Sequence, residues 1–342
     1  MTVAVVAGLT GTAPHAAEPD VPAAATPSPV PAGPVTQPVG LAYTVREARV
    51  GQWRIGPVGA AVTLGYQQIP VYRDGKTIEA DGVHYPFPDG WLTFYRPGAY
   101  DIEAFGADPW LRAQFGPPRD VTIAGRPGIE RAMTYALPDL DDLRAKRRAD
   151  PSLRPGDPSI KQELYNRTAV AWKFDGGAWA TFLPGTGREP LSRAESLAIV
   201  AAVRPGPAEP VRAPYRFGWL PAGWKAIGAE QSPTDIVSRV LLDRDVPAGA
   251  DLVHPWDDYP AAGRLTVWQG TPKPGNAPRA GQDLKCADHN GYCTLVIDDT
   301  YFAEFERLGG GVSMADVRRI LRGLTFTAVA DRSTWPVVPS GR

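Results

Sequence analysis

Cysteine and histidine are scarce in this sequence, with two cysteines and four histidines among 342 residues. The cysteines, Cys286 and Cys293, are too far apart in sequence for a Cys-x-x-Cys motif, and no two histidines form a His-x-x-x-His or HExxH pattern. These absences predict no metal site, no dithiol redox centre and no bound cofactor.

An excess of charge is also missing, since 36 basic residues face 37 acidic ones. A chain without a net positive charge has no overall electrostatic attraction to nucleic acid or to an anionic membrane surface. We therefore expect no nucleic-acid partner. The sequence also lacks the run of about 20 apolar residues that a membrane-spanning helix needs.

Proline and glycine are abundant, with 37 and 36 residues. Proline removes a backbone donor and clashes with the preceding helical turn, so long uninterrupted helices are not expected. The hydrophobic share of 43% and the charged share of 21% are typical of a globular protein, and the length suffices for two domains.

The N-terminal segment resembles an export signal. Residues 2–13 are small and apolar, and small residues suitable for cleavage follow near Ala16 and Ala17. We interpret 1–17 as signal-peptide-like or as the end of a membrane anchor; a buried N-terminal strand or helix is the alternative. Residues 18–40 are rich in Pro and Ala and read as a disordered linker. These features predict an extracytoplasmic protein, secreted or anchored, which touches the membrane only through such an anchor.

The most informative pattern is an internal repeat of strand, turn and helix signals. Four pairs of segments recur in the same order, namely 90–95 with 263–268, 121–128 with 284–291, 174–182 with 297–305, and 191–195 with 312–316. The last pair places Ser192 and Ser313 at helix N-caps with a carboxylate three residues later, as in a capping box. Convergence of unrelated segments on generic patterning is the alternative interpretation.

The repeat predicts an α+β fold of two similar small domains, 41–207 and 208–330, followed by a tail at 331–342. Each domain is expected to form an antiparallel sheet with a C-terminal helix packed on one face. The first domain carries an insertion near 136–166, in which a helix starts acidic at Asp139 and ends basic. We interpret this insertion as a solvated surface excursion; a lid or a partner-binding arm is the functional alternative.

The two cysteines flank a hairpin tip at Asp288 to Gly291, and this geometry predicts a structural disulfide. A redox switch, or a metal site that uses Asp288 and His289, is the alternative. The alignment of the repeats places Ile123 and Glu130 at the equivalent positions, so the shared architecture does not require the bridge.

One loop combines residues that could do chemistry or bind a ligand. They are His254, Trp256, Asp257, Asp258 and Tyr259. Histidine beside a carboxylate suits acid–base work, and the two aromatic rings could stack on a sugar. No Gly-x-Ser-x-Gly, Ser-x-x-Lys or phosphate-loop motif accompanies them, so we assign no catalytic residue and regard the loop as a candidate binding site.

The exported N-terminus, the Pro-rich linker and the Ser-x-x-Glu/Asp closing helices together resemble actinobacterial secreted or membrane-anchored proteins of uncharacterised function with a duplicated extracytoplasmic α+β domain. Some of these are similar to the sensor portions of extracytoplasmic anti-sigma systems, which implies protein or ligand sensing outside the membrane. We therefore expect a non-catalytic module that binds a protein or a cell-envelope component. The alternative is an envelope-polymer hydrolase that uses the 254–259 loop.

Overall fold

Alternation of buried and exposed residues makes most of the described chain β-strand. In the segment Arg126–Pro138 the buried positions are two apart, at Gly128 and Glu130 and again at Met133 and Tyr135, and the buried face changes between the two pairs. The computed structural model describes residues 41–338 except 57–58, 81–82, 107–112, 231–235, 245–260, 274, 280–281 and 310. All of them belong to one compact unit, Ala32–Arg342.

Twelve of the described strands precede residue 211. They are β1 (Ala42–Val45), β2 (Ala48–Val50), β3 (Trp53–Ile55), β4 (Ala61–Thr63), β5 (Tyr66–Ala80), β6 (Val83–Tyr95), β7 (Gln114–Phe115), β8 (Arg119–Ile123), β9 (Arg126–Pro138), β10 (Gln162–Lys173), β11 (Trp179–Pro184) and β12 (Pro205–Pro210).

The remaining described strands and the α-helices complete the order of elements. The strands are β13 (Tyr215–Phe217), β14 (Lys225–Glu230), β15 (Ile236–Asp243), β16 (Gly263–Gln269), β17 (Leu284–Ala287), β18 (Tyr292–Val296), β19 (Tyr301–Arg307) and β20 (Leu324–Phe326). The helices are α1 (Leu140–Arg147), α2 (Arg193–Ala202) and α3 (Met314–Arg322). No helix in the described ranges is long and apolar enough to cross a membrane.

One antiparallel sheet of 16 strands runs through the described chain. Its main path is β17-β18-β19-β16-β15-β14-β4-β5-β6-β11-β10-β9-β7, while β2, β3 and β8 pair at its sides. We call β14 to β19 the second half-sheet and β2 to β11 the first half-sheet. The two join where β4 pairs with β14, through Ala61 opposite Glu230 and Gly228 opposite Thr63.

The order of strands is the same on both sides of this joint. Reading outward, β4, β5, β6, β11, β10 and β9 on one side match β14, β15, β16, β19, β18 and β17 on the other. Because β4 and β14 are antiparallel, the two half-sheets are related by an approximate two-fold axis through the joint.

Each half is completed by a two-stranded ribbon and a helix. The strand that opens each half pairs with the strand that follows its helix, β1 with β12 and β13 with β20. Both helices begin with the predicted capping boxes, Ser192 with Glu195 and Ser313 with Asp316. The helices bury apolar side chains in one hydrophobic core that contains residues of both halves, among them Ile199, Val200, Val317, Ile320 and Leu321.

The predicted fold class is wrong. The structure is mainly antiparallel sheet, and the strands do not form a separate small sheet for each predicted domain. The reason is the three-residue strand β4, which pairs with β14. In two independent sheets these two strands would each be an unpaired edge strand, whereas here they join the half-sheets into one. The boundaries 41–207 and 208–330 stay a prediction about how the chain would divide.

The insertion forms the tip of the long hairpin of β9 and β10. Asp139 caps α1 with hydrogen bonds from the backbone of Asp141 and Asp142, as its acidic start predicts. Leu143 and Ile160 are buried, so the tip packs on itself. Whether it is a solvated excursion or a partner-binding arm stays open.

Candidate functional site

The predicted 254–259 loop lies outside the described residues. This applies to all five of its candidate binding residues, namely His254, Trp256, Asp257, Asp258 and Tyr259. Their contribution to a site therefore stays a prediction, and the candidate site among the described residues consists of other side chains.

The second half-sheet carries a polar cavity of about 210 Å³. Side chains from four strands and one loop line it, and they are Arg239, Arg264, Thr266, Trp268, Asn276, Tyr292, Glu304 and Glu306. On β19, Ala303 and Phe305 point into the helix-covered core, so Glu304 and Glu306 point to the opposite face. The cavity therefore lies on the face of the sheet that α3 leaves uncovered.

The centre of the cavity belongs to one row of register partners that crosses the whole sheet, which we call the central row. In the second half-sheet it runs Thr294, Glu304, Thr266, Arg239, Glu230. In the first half-sheet it continues Ala61, Gln68, Thr93, Thr181, Ala171. Register partners share a face of the sheet, so all residues of the row lie on one face. Because the strand order is the same on both sides of the joint, each residue of the row has an equivalent on the strand at the same distance from the joint. Glu304 thus corresponds to Thr181.

The two halves of the central row differ in charge. Three charged residues, Glu230, Arg239 and Glu304, lie on the side of the cavity, whereas the other side has none. The residues that flank the row differ in the same way, since Arg264 and Glu306 pair on one side and Trp91 and Leu183 on the other. Equivalent positions of one architecture therefore carry charged side chains in one half and uncharged ones in the other.

The apolar face of the first half-sheet is covered by its own chain. Tyr100, Ile102 and Phe105, from the segment after β6, pack against Ala169, Ala171, Trp179 and Leu183 of that face. Tyr100 also stacks on Tyr95, with ring centroids 4.1 Å apart. We call this surface the covered face. Its apolar side chains gain burial there, whereas the cavity offers no equivalent apolar contact.

Glu304 is the carboxyl group at the centre of the cavity. The hydroxyl of Thr294 donates to its Oε1 at 3.2 Å, and Asn276 and Trp268 lie beside the same group. Burial raises the pKa of Glu304 above its ordinary value, and the negative charge of Glu306 raises it further. The neighbouring Thr294, Asn276 and Trp268 side chains act in the opposite direction.

The two arginines of the cavity are both held by carboxylates. Arg264 donates through Nε to Oε2 of Glu306 at 3.1 Å, and Arg239 donates to Oε2 of Glu230 at 2.7 Å. The Arg239–Glu230 pair is largely buried and so better shielded from water than a surface pair, whereas the Glu306 side chain of the other pair is 45% exposed. Arg239, Arg264 and Glu306 line the same cavity as Glu304.

A second cavity of similar size lies in the first half. It is lined by Ile123, Ala124, Arg126, Trp172, Phe174, Val200, Val203, Arg204 and Pro205. Most of these side chains are apolar, and Arg126 lies over the ring of Phe174 at 5.5 Å. This cavity lies between a strand end and the end of α2. Its apolar lining could select a ligand by shape, but it provides few polar groups to orient one.

The predicted disulfide is present between Cys286 and Cys293. The cysteines are direct register partners of β17 and β18, and the tip between them is a short 3-10 turn. Asp288 is held by Arg318 of α3 at 2.5 and 2.7 Å. Within the described ranges no group of three or more metal-ligating side chains occurs.

The sequence alignment of the repeats placed the equivalents of the cysteines one strand away. Cys293 pairs with Phe305, and Val170 pairs with the corresponding Phe182. Since Glu130 is the partner of Val170, the positions equivalent to Cys286 and Cys293 are Glu130 and Val170 rather than Ile123 and Glu130. The hairpins that correspond are therefore β9–β10 and β17–β18.

Sequence reasoning missed Glu304 and its neighbours. The signal was present in the ungapped match of 174–182 with 297–305, which aligns Thr181 with Glu304. The match shows what the repeats share, whereas the cavity arises where they differ.

Comparisons with known proteins identify no family. The sequence matches no family model and no curated protein. Among solved structures, one similarity is to MucB in its crystal structure with MucA(peri), at 13% sequence identity, over 84% of this chain and 93% of that chain, with a TM-score of 0.19. A similarity at this TM-score carries no argument about fold or function.

Proposed function

We propose that this protein is a non-catalytic extracytoplasmic module that binds a protein or a cell-envelope component, and that the polar cavity is its binding site. The observation that carries the proposal is the contrast along the central row, where Glu304 occupies the place of Thr181. The same sheet face is filled with charge in one half and closed by an apolar cover in the other.

Stability alone does not account for the polar lining. Burying a carboxyl group and two arginines costs free energy, whereas an apolar cover of the kind found over the covered face would stabilise the sheet. A concave site with convergent polar and aromatic groups is the usual form of a ligand site. The lining is thus better suited to binding than to packing.

Placement outside the cytoplasm is supported by the disulfide of Cys286 and Cys293. Disulfides persist in oxidising compartments and are rare in the cytosol of most organisms. The signal-like N-terminal segment points the same way, but residues 1–40 lie outside the described part of the chain.

The hydrolase alternative depends on the 254–259 loop, which also lies outside the described residues. The described residues that line the cavity include no serine, cysteine or histidine, and of its two carboxyl groups Glu306 is held in an ion pair by Arg264. We therefore favour binding over hydrolysis, which would require Glu304 and Glu306 to act as a pair of catalytic carboxyl groups.

The test uses crosslinking of tagged full-length protein in its native host, followed by affinity purification and quantitative mass spectrometry. The variant Asn276→Trp fills the cavity from its loop, and Lys273→Trp places the same ring on an exposed position of that loop as a matched control. We expect one reproducible component with the wild type and with Lys273→Trp, and its loss with Asn276→Trp.

Two results would overturn the proposal. Recovery of the same component with Asn276→Trp would show that the cavity is not the site. No component enriched over an untagged control, together with turnover of an envelope polymer by the purified protein, would replace binding with the hydrolase alternative.

A further inference from the structure

The lining of the polar cavity carries two arginines and two glutamates, but both arginines are already held by other carboxylates, one of them by Glu230 outside the lining. Arg264 is paired with Glu306, and Arg239 is paired with Glu230. Among the described residues, no Arg, Lys or His side chain forms an ion pair with Glu304, whose neighbours are Thr294, Asn276, Trp268 and Glu306. The cavity therefore has one carboxyl group without a counter-charge.

The hydrogen-bond donors beside the carboxyl group of Glu304 are uncharged. They hold the group in place but do not neutralise its negative charge. The hydroxyl of Tyr292 donates to Oδ1 of Asn276, which leaves the amide nitrogen of Asn276 as the group able to donate to Glu304. The hydroxyl of Thr294 donates to Oε1 of the same carboxyl group. A carboxylate with fixed orientation and an unmatched charge is suited to a cationic partner.

The rest of the lining suits an organic cation better than a metal ion. Trp268 stacks on Phe302, with ring centroids 6.2 Å apart, and Tyr292 lines the cavity on the other flank of Glu304, as the register partner of Glu306. Aromatic rings attract ammonium and guanidinium groups and pack against their methylene stems. The volume of about 210 Å³ is below the roughly 300–1,000 Å³ of sites for drug-sized ligands, so the cavity fits one side chain or one small cation.

We infer that the polar cavity binds a primary ammonium or guanidinium group, with Glu304 as its counter-ion and Trp268 and Tyr292 against its stem. The inference rests on the proposed binding function and names the chemistry of the ligand. A lysine or arginine side chain of a protein and a free alkylamine share this chemistry.

The inference also predicts how binding depends on pH. The groups that face Glu304 are Glu306 on its own strand, Arg264 and Trp268 on β16, Arg239 on β15, Tyr292 on β18, and Asn276 on the loop. Burial and Glu306 raise the pKa of Glu304, so its charge develops at higher pH than that of an ordinary carboxyl group. Binding of a cation should strengthen as pH rises through that raised pKa.

The experiment is isothermal titration calorimetry of the full chain with probes that differ in charge or source. N-acetyl-lysine N-methylamide and N-acetyl-arginine N-methylamide represent protein side chains, pentylamine represents a free amine, and N-acetylnorleucine N-methylamide is the neutral match of lysine. We expect a cationic probe to bind and the neutral one to fail. Tight binding of the two amides with weak binding of pentylamine would assign a protein source, and the reverse a free amine.

Two variants make the assignment specific. Glu304→Gln keeps the size and the hydrogen-bonding atoms but removes the charge, and it should weaken binding of the cationic probe by about tenfold to a hundredfold. Glu209→Gln makes the same change on an exposed strand outside the cavity and should leave binding unchanged. The pH dependence of the wild type is a second readout that needs no variant.

Equal binding of the lysine and norleucine amides, or equal binding by Glu304→Gln and wild type, would overturn the cation inference. If Asn276→Trp then still abolished binding of the neutral probe, the proposed binding function would stand without it. Failure of every probe to bind would also reject the inference, while the crosslinking experiment decides the proposed function separately.

Discussion

Ala61 on β4 is paired with Glu230 on β14, and these two residues occupy equivalent positions in the two half-sheets. The approximate two-fold axis passes through this pair. The joint is short, since β4 has three residues, yet it turns two half-sheets into one. Consequently, each half covers the inner edge of the other.

This joint predicts that the second half is not self-sufficient. A fragment of residues 208–338 would expose the backbone of β14 as an open edge, together with the buried Ile227 and Ala229. We expect the fragment to self-associate, while the full chain does not associate through β14. Light scattering after size-exclusion chromatography measures this, and a monomeric, cooperatively folded fragment would instead support the predicted domain boundary.

The disulfide should stabilise the folded protein by about 2–3 kcal/mol, because it closes a short loop and restricts the unfolded chain. Urea unfolding of the wild type with and without a reductant measures this contribution. The double variant Cys286→Ala/Cys293→Ala is the control, since its free energy of unfolding should not respond to the reductant. A response of similar size in the double variant would assign the effect to something other than the bridge.

The capping box of α3 should contribute about 1 kcal/mol to stability. The Ser313 hydroxyl oxygen accepts a hydrogen bond from the backbone N–H of Asp316 at 3.1 Å, so Ser313→Ala leaves that donor without its cap. Ser313→Thr retains the oxygen and should lie within a few tenths of a kcal/mol of the wild type. Chemical denaturation of the three proteins tests the ranking, and equal losses in both variants would contradict it.

Glu304 should make the protein less stable as pH rises. Its pKa is raised in the folded state, so between the ordinary value near 4.5 and that raised pKa the folded state keeps a proton that the unfolded state releases. The free energy of unfolding therefore falls as pH rises through this window, and the loss persists above it.

The variant Glu304→Gln removes this titration. Its stability relative to the wild type should increase between pH 4 and pH 7, as measured by urea unfolding at both pH values. Glu209→Gln serves as the control and should show no such increase. An unchanged difference between Glu304→Gln and the wild type at the two pH values would show that burial does not shift this carboxyl group.

Features that depend on neighbours in sequence were predictable here, and features that depend on distant pairing were not. Ser192, Ser313 and Asp139 cap helices through contacts within one turn, and Cys286 meets Cys293 across a single hairpin. Pairing of β4 with β14 joins segments more than 160 residues apart and has no local signature. The fold class was wrong for that reason.

The candidate site shows the same limit. Glu304, Arg239 and Thr266 lie on three strands and meet only because the register of the sheet brings them into one row. A sequence pattern indicates a site most readily when its residues are close together in the chain, as in the 254–259 loop. A comparison of the two repeats position by position would have found the change from Thr181 to Glu304.

The hairpin that carries the disulfide also forms one end of the sheet. Its outer strand, Leu284–Ala287, is four residues long and carries the charged side chain of Lys285. Long, flat and apolar edges recruit strands from other molecules, whereas a short edge that bears a lysine does so poorly. Because Cys286 ties this strand to its neighbour, it cannot peel away to expose β18 in its place. The disulfide thus protects this edge of a 16-stranded sheet against pairing with strands of other molecules.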